Sequence, residues 1–329
     1  AGGGLKGRMF AWSAKQARSY SVAQQRTFGP SLTKKLRHGL ADALVLKKIR
    51  SVLGPNLRYI VSGGAPLATD LAQFYAGMGI TLIQGYGLSE TTGPIAVQHL
   101  GANPIGTVGL PLPGNFIKIA KDGEILVRGQ AVMPGYYHLP EETQAVMPDG
   151  RWFHTGDIGS ISRNGQLSIT GRKKELIVTA GGKNVSPEIL EDAIATHPLI
   201  ANVIVVGDQR PFIGALITLD AEMLPDWLRK HGLPRCSPAE AAQLSEVQAS
   251  LERAIERANK AVSRAESIRK FRIIDASFTV ENGYVTPSMK LRRRKVIADY
   301  AHEIDELYGG PVEATERPRR RFSFRRREH

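Results

Sequence analysis

Twice between Tyr59 and Thr92, a short apolar stretch runs straight into a glycine loop. Tyr59-Ile-Val61 leads into Ser62-Gly-Gly-Ala-Pro66, and Ile80-Thr-Leu-Ile83 leads into Gln84-Gly-Tyr-Gly-Leu-Ser-Glu-Thr-Thr92. Between them, Leu71, Phe74, Tyr75 and Met78 fall roughly on one face of a predicted helix over 67–78. Strand, glycine loop, helix, strand, glycine loop is the grammar of an α/β sheet whose loops sit at the carboxyl ends of its strands. Ligands bind at such ends, so the two loops are the first place to look for chemistry.

The second loop has suitable residues for a nucleotide. A flat base needs an aromatic face with glycines beside it, so that the backbone can come close. Gly85, Tyr86 and Gly87 offer this. A phosphate needs a hydroxyl donor, and its magnesium needs a carboxylate oxygen. Ser89 and Glu90 supply them. The same residues also suit a plain loop closed by a helix cap, and the rest of the chain has to decide.

The pattern upstream predicts a helix over 31–53. Ser31 is the cap, Leu32, Leu36, Leu40 and Leu44 repeat at helical spacing, and Gly54-Pro55 ends it. From Gly93 to Thr170, Gly and Pro punctuate short strands such as Gly123-Glu-Ile-Leu-Val-Arg128 and Gln166-Leu-Ser-Ile-Thr170, which predicts a compact β region. Past Gly171-Arg-Lys-Lys174 a smaller α+β unit is expected. A helix opens at Ser186-Pro187, strands follow at 202–206 and 215–219, and helices lie at 237–262 and 292–308.

Of the 329 residues, 42% are hydrophobic, which is enough for two cores. No apolar run is long enough for a membrane span. The single cysteine, Cys236, rules out an internal disulfide and a cysteine metal cluster. The histidines lack ligand spacing, and His154 is expected to pack beside Trp152 and Phe153. Net charge is +13, but seven arginines crowd residues 316–329. The charge is therefore read as a disordered basic tail, and no specific nucleic acid is expected.

Five motifs stand in order over more than two hundred residues. They are Ser62-Gly-Gly-Ala-Pro66, Gly85-Tyr-Gly-Leu-Ser-Glu90, Trp152-Phe-His-Thr-Gly-Asp157, Gly171-Arg-Lys-Lys174 with Gly181-Gly-Lys-Asn-Val-Ser-Pro-Glu188, and Pro287-Ser-Met-Lys290. Together they resemble the adenylate-forming superfamily of acyl-CoA synthetases, firefly luciferase and peptide-synthetase adenylation domains. The lead-in before Ser62 is most similar to bacterial long-chain fatty acid–CoA ligases. The resemblance implies the C-terminal part of a two-domain α/β adenylate-forming fold: 1–172 from the large AMP-binding domain, 173–310 the small mobile domain, and 311–329 the basic tail. It further implies a cytoplasmic enzyme using ATP, Mg²⁺ and coenzyme A on a fatty acid.

Roles follow from the resemblance, residue by residue. Gly63, Gly64 and Ala65 would underlie adenine, and Tyr86, flanked by Gly85 and Gly87, would stack on it. Ser89 would donate to the α-phosphate, where the family more often has Thr. Glu90 would hold Mg²⁺. Asp157 and Arg172 would contact the ribose, Lys174 would be the hinge, and Gly181 and Gly182 would line the pantetheine channel. Lys290 would reach the substrate carboxylate and the α-phosphate, although the family's stricter pattern has Gly where Met289 stands. The family's phosphate-cradling loop has no counterpart here. It is expected upstream of Ala1, so these residues alone are expected not to form adenylate. Two rival readings remain. One is a fatty acyl-AMP ligase that hands its product to a carrier protein. The other is a non-catalytic module whose basic tail touches RNA or the anionic inner face of a membrane.

Overall fold

The computed structural model describes residues 5–101, 104–287 and 290–310. The tail at 311–329, Ser288 and Met289 lie outside them. Small residues bring the first helices together. In α1 (Leu5–Gln24) the buried positions are Ser13, Ala14, Ala17, Ser21 and Ala23, and they face α4 (Thr69–Gly77). A β-carbon on Gly77 would run into the Ala17 carbonyl, so only glycine permits this approach.

The helix predicted over 31–53 is broken. It comprises α2 (Leu32–Ala41), a π-helical turn (Asp42–Leu46) and α3 (Lys47–Leu53). The leucine stripe does not face the core: Leu32 is 82% and Leu36 77% exposed. Ala41 and Leu46 are buried instead, against Ala17, Met78 and Ile80. Arg50 ties the break to α4, donating to Asp42 at 2.5 and 3.0 Å and to the Met78 carbonyl at 2.7 Å.

The strands β1 (Tyr59–Gly63) and β2 (Thr81–Leu88) pair in parallel and bring Gly63 opposite Gly85. The two glycine loops thus leave the sheet side by side. β3 (Gly93–Val97) runs antiparallel to β2, and β4 (Leu110–Pro111) completes the sheet. A second sheet is an antiparallel meander of β5 (Asn115–Ile119), β6 (Glu124–Gly129), β7 (Phe153–Ile161) and β8 (Leu167–Arg172), with α5 (Pro140–Val146) before β7. The two sheets share one core of Tyr86, Ile95, Val108, Ile125, Val127, Phe153 and Leu167. This places the second glycine loop over the β7–β8 pair.

After a short 3-10 turn (Lys173–Glu175), β9 (Ile177–Val178) and β10 (Asn184–Val185) form a hairpin, and Pro187 opens α6 (Pro187–Ala195). β11 (Ile200–Val206) and β12 (Ile213–Leu219) are antiparallel. Beyond α7 (Leu224–Lys230), α8 (Pro238–Ala241) and α9 (Ser245–Asn259), β13 (Ile268–Ile273) joins β12 in parallel. The pleat of β11 divides the packing. Val203 and Val205 pack in the core with α6 and α9, whereas Ile204 and Val206 pack with α10 (Arg293–Asp299) and α11 (Ala301–Tyr308). The predicted last helix is interrupted at Tyr300, yet Val296, Ile304 and Leu307 are buried together.

Among the described residues, each apolar core cluster lies wholly before Arg172 or wholly after Glu175. The two bodies are called here the first and second lobes. No helix among the described residues is long and apolar enough to cross a membrane.

Candidate functional site

Between the lobes lies a cavity of about 1230 Å³. Its walls include Glu90, His154, Asp157, Arg172 and Lys174 on the first lobe and the joint, and Arg210, Arg292 and Arg294 on the second. Asp157 sits on β7 directly opposite Arg172 on β8. The Arg172 Nε lies 3.6 Å from one oxygen of Asp157, while the Tyr86 hydroxyl donates to the other at 2.6 Å. Residues 71 positions apart are thus joined by one buried carboxylate.

The electrostatics follow from burial. Tyr86 is only 7% exposed. Burial, and then the Asp157 charge beside it, push its phenol far above the ordinary range and keep it a donor. Burial also raises Asp157, against the opposing pull of the Tyr86 hydroxyl and Arg172. Glu90 accepts from the Tyr136 hydroxyl at 2.9 Å, and its backbone carbonyl accepts from Met133. Burial and then the bond to Glu90 raise the Tyr136 phenol. Ser89 stands exposed in the 3-10 turn Ser89–Thr91, whose C-cap Thr92 takes the left-handed conformation.

The first glycine loop meets the second lobe. Gly64 has φ +77 and is exposed, and Ala65 follows it in the turn. The Lys290 Nζ donates to the Gly64 carbonyl at 3.2 Å, across 226 residues of chain. A small loop presents this lysine. Thr286 N donates to the Lys290 carbonyl at 2.8 Å, Lys290 N donates to Thr286 Oγ1 at 3.0 Å, and Arg292 N donates to the Tyr284 carbonyl at 2.7 Å.

The glycines divide by role. Gly63 faces the Gly85 carbonyl, where a β-carbon would come within 3.2 Å. Gly87 is needed by the sheet itself, because a β-carbon there would strike the Gly93 carbonyl. Gly181 and Gly182 lie in the β9–β10 turn, where Gly182 N donates to the Thr179 carbonyl. They are not among the residues lining the interlobe cavity in this arrangement.

One expectation fails. His154 does not pack on Trp152: its Nδ1 lies 3.0 Å from Glu124 Oε2. The Trp152 ring instead carries Lys118 and Arg128. Glu124, with a side chain only 5% exposed, needs partners to remain ionised, and a surface ring could not supply them. It also accepts from Lys173 Nζ at 2.7 Å and from Gly156 N at 3.0 Å. The sequence did carry a signal for this group. A glutamate opens β6 directly before the apolar Ile125-Leu-Val127, but such a pattern marks a strand and not the partner of the glutamate. Tyr136 had no such signal.

Burial alone would raise the Glu124 carboxyl, but the bonds from Lys173, His154 and Gly156 outweigh it and hold the carboxyl below its ordinary range. A depressed carboxyl stabilises the fold above its unfolded pKa of about 4.3, and this is lost as pH falls through the folded value. We therefore expect Glu124→Gln to cost about 1–3 kcal/mol at pH 7. The gap from the unsubstituted protein should narrow as pH falls below the unfolded value and close only past the lower folded one, as urea unfolding at pH 7 and along an acid series will show.

Comparison with known proteins shows the family and the fold to which the chain is similar. The AMP-binding enzyme profile matches residues 14–137, and the AMP-binding enzyme C-terminal domain profile matches residues 174–311. The chain is 48% identical over 304 residues to the long-chain-fatty-acid–CoA ligase FadD15 of Mycobacterium bovis, covering 92% of this chain and 50% of that protein. It is 40% identical over 274 residues to the putative fatty-acid–CoA ligase fadD11 of Mycobacterium tuberculosis, covering 83% and 48%. The chain thus spans about half the length of the curated relatives it matches. Among solved structures, the adenylation domain of a carboxylate reductase from Mycobacterium chelonae aligns with TM-score 0.65 at 21% identity, covering 90% of this chain and 45% of that one. The o-succinylbenzoate coenzyme A synthetase of Bacillus subtilis, solved with ATP and magnesium ion, aligns with TM-score 0.55 at 24% identity, covering 76% and 49%. These likenesses show a shared adenylate-forming fold. The first matched stretch lies within the first lobe and the second begins at Lys174 and spans the second lobe, and the chain belongs to the AMP-binding enzyme family.

Proposed function

We propose that this chain forms part of an enzyme that activates a long-chain fatty acid with ATP and then joins it to coenzyme A. The observation that carries the reading is the 3.2 Å contact of the Lys290 ammonium with the Gly64 carbonyl. It brings a cation of the second lobe onto the first glycine loop, which leaves the sheet next to the Gly85-Tyr86-Gly87 loop. Such an ammonium offsets the charge that grows on an α-phosphate as a carboxylate attacks it.

The remaining residues take complementary parts. Gly63, Gly64 and Ala65 leave the backbone open to an adenine, with Tyr86 on the other side of the site. Tyr86 also orients Asp157, whose carboxylate suits the two hydroxyls of a ribose, with Arg172 alongside. Ser89, exposed at the start of its turn, offers a hydroxyl to the α-phosphate. Glu90 is the candidate magnesium ligand. Glu90 lines the cavity, and among the described residues its carboxylate has one donor, Tyr136, which leaves oxygen lone pairs for a hard cation that prefers few carboxylates plus phosphates. Bound there, Mg²⁺ would neutralise phosphate charge. Gly181 and Gly182 reach the cavity only if the second lobe turns about Lys174, and we assign them to the coenzyme A step.

The fatty acid substrate rests on the likeness to FadD15 and fadD11. The test is ATP–pyrophosphate exchange by the full-length protein with a ladder of fatty acids, followed by addition of coenzyme A. Exchange that rises with acyl length, and thioester formation on adding coenzyme A, support the reading. Exchange without thioester formation would favour delivery to a carrier protein. Absence of exchange with every acid would end the enzymatic reading.

A further inference from the structure

The joint between the lobes is fastened to the first lobe at Lys173. Lys173 opens the 3-10 turn that connects them, and its Nζ is 2.7 Å from Asp122 Oδ2 and 2.7 Å from Glu124 Oε2. Both carboxylates belong to the β5–β6 turn and the start of β6, on the first lobe. That turn is itself fastened to β7: Gly159 N donates to the Gly123 carbonyl at 3.0 Å, and Gly156 N donates to Glu124 Oε1 at 3.0 Å. His154 closes the group on Glu124 Oε2, the oxygen that Lys173 also holds. On the other side, Ile177 is the first residue buried in the second lobe's core, and it pairs with Val185. Only Lys174, Glu175 and Leu176 lie between the two fixed points.

We propose that Asp122, Glu124 and Lys173 form a clamp that ends the first lobe at Lys173 and confines the turning of the second lobe to the next three residues. The inference rests on the two-step reading above. One cavity serving two different steps needs two reproducible lobe orientations, and these need a pivot of fixed position. Without the clamp, the exposed turn and the end of β8 would share the movement. Ser186 Oγ donates to the Thr170 carbonyl from the second lobe, a contact that has to break when the lobe turns, so it cannot fix the pivot. The clamp lies wholly upstream of Lys174 and survives the turn.

Lys173, Asp122 and Glu124 are positioning residues, and the test reads position directly. The full protein, with Cys236→Ser and spin labels on Arg163→Cys and Glu246→Cys, reports the distance between the lobes; both label sites are exposed, one on each lobe. Lys173→Met and Asp122→Asn should each widen the distance distribution about twofold, while Lys173→Arg keeps it narrow. Lys173→Met should also slow acyl-CoA formation from supplied acyl-adenylate about tenfold and leave pyrophosphate exchange within about twofold. Unchanged distributions in both Lys173→Met and Asp122→Asn overturn the clamp. If the unsubstituted protein performs no exchange, the two-step reading fails, and the distance measurement still decides the clamp alone.

Discussion

Lys290→Met is expected to lower ATP–pyrophosphate exchange about 10²–10³-fold, the equivalent of about 3–4 kcal/mol of transition-state stabilisation. Methionine keeps the length and apolar body of the side chain and removes only the charge. Among the described residues the Lys290 Nζ has one neutral acceptor, the Gly64 carbonyl, and no carboxylate partner. Removing it therefore strands no buried charge, and Tm should stay within about 2 °C. The loss should fall on kcat more than on KM, because the ammonium meets charge that develops only as the α-phosphate is attacked. Lysine 290 also begins the basic run Lys-Leu-Arg-Arg-Arg-Lys295. Were it merely a solvated helix start, exchange by the Met variant would fall less than threefold, and the assignment of Lys290 would be lost.

The second large effect is on stability. Glu191 of α6 accepts from Val205 N at 2.6 Å and pairs with Arg293, whose other Nη donates to the Val205 carbonyl at 2.9 Å. Both side chains are largely covered. Three segments distant in sequence, α6, β11 and the first residue of α10, thus meet in one ionic bracket. Glu191→Ala leaves the Arg293 guanidinium without this counter-charge and the Val205 amide without this acceptor. That should cost about 3–5 kcal/mol, more than the loss of the attraction itself, because an uncompensated charge stays buried. Differential scanning should show Tm lower by roughly 10–20 °C for a lobe of this size. The double variant Glu191→Leu with Arg293→Leu should recover most of the loss, since filling the site with apolar side chains removes the desolvation cost of both ions. A double variant as unstable as Glu191→Ala would show that the bracket acts through geometry rather than charge.

The alternation of apolar strand, glycine loop and helix between Tyr59 and Thr92 was legible because each signal is local. Glycine announces turns, period-two alternation announces strands, and three- to four-residue spacing announces helices. The same locality misled over 31–53, where leucines at helical spacing form a real helical segment but face solvent. The spacing locates a face and does not say what covers it; Arg50, reaching Asp42 and the Met78 carbonyl, ties that segment to α4 at its break. His154 was misplaced for a related reason. Phe153, its immediate neighbour, points to the opposite side of the strand, and its partner, Glu124, is on the next strand.

The residue types of the site were written in the chain: glycines at strand ends, a hydroxyl and carboxylate in one loop, Asp157, and a lysine near the end. Their convergence was not. Tyr86 bonds Asp157 only because β2 and β7 pack on one core, and Lys290 reaches Gly64 only because the second lobe folds back over the first. Sequence specifies local backbone preference and side-chain chemistry, which act over a few residues. Which charges pair, which glycine serves the sheet, and where the joint is fastened depend on contacts between distant segments, and those exist only once both cores have formed.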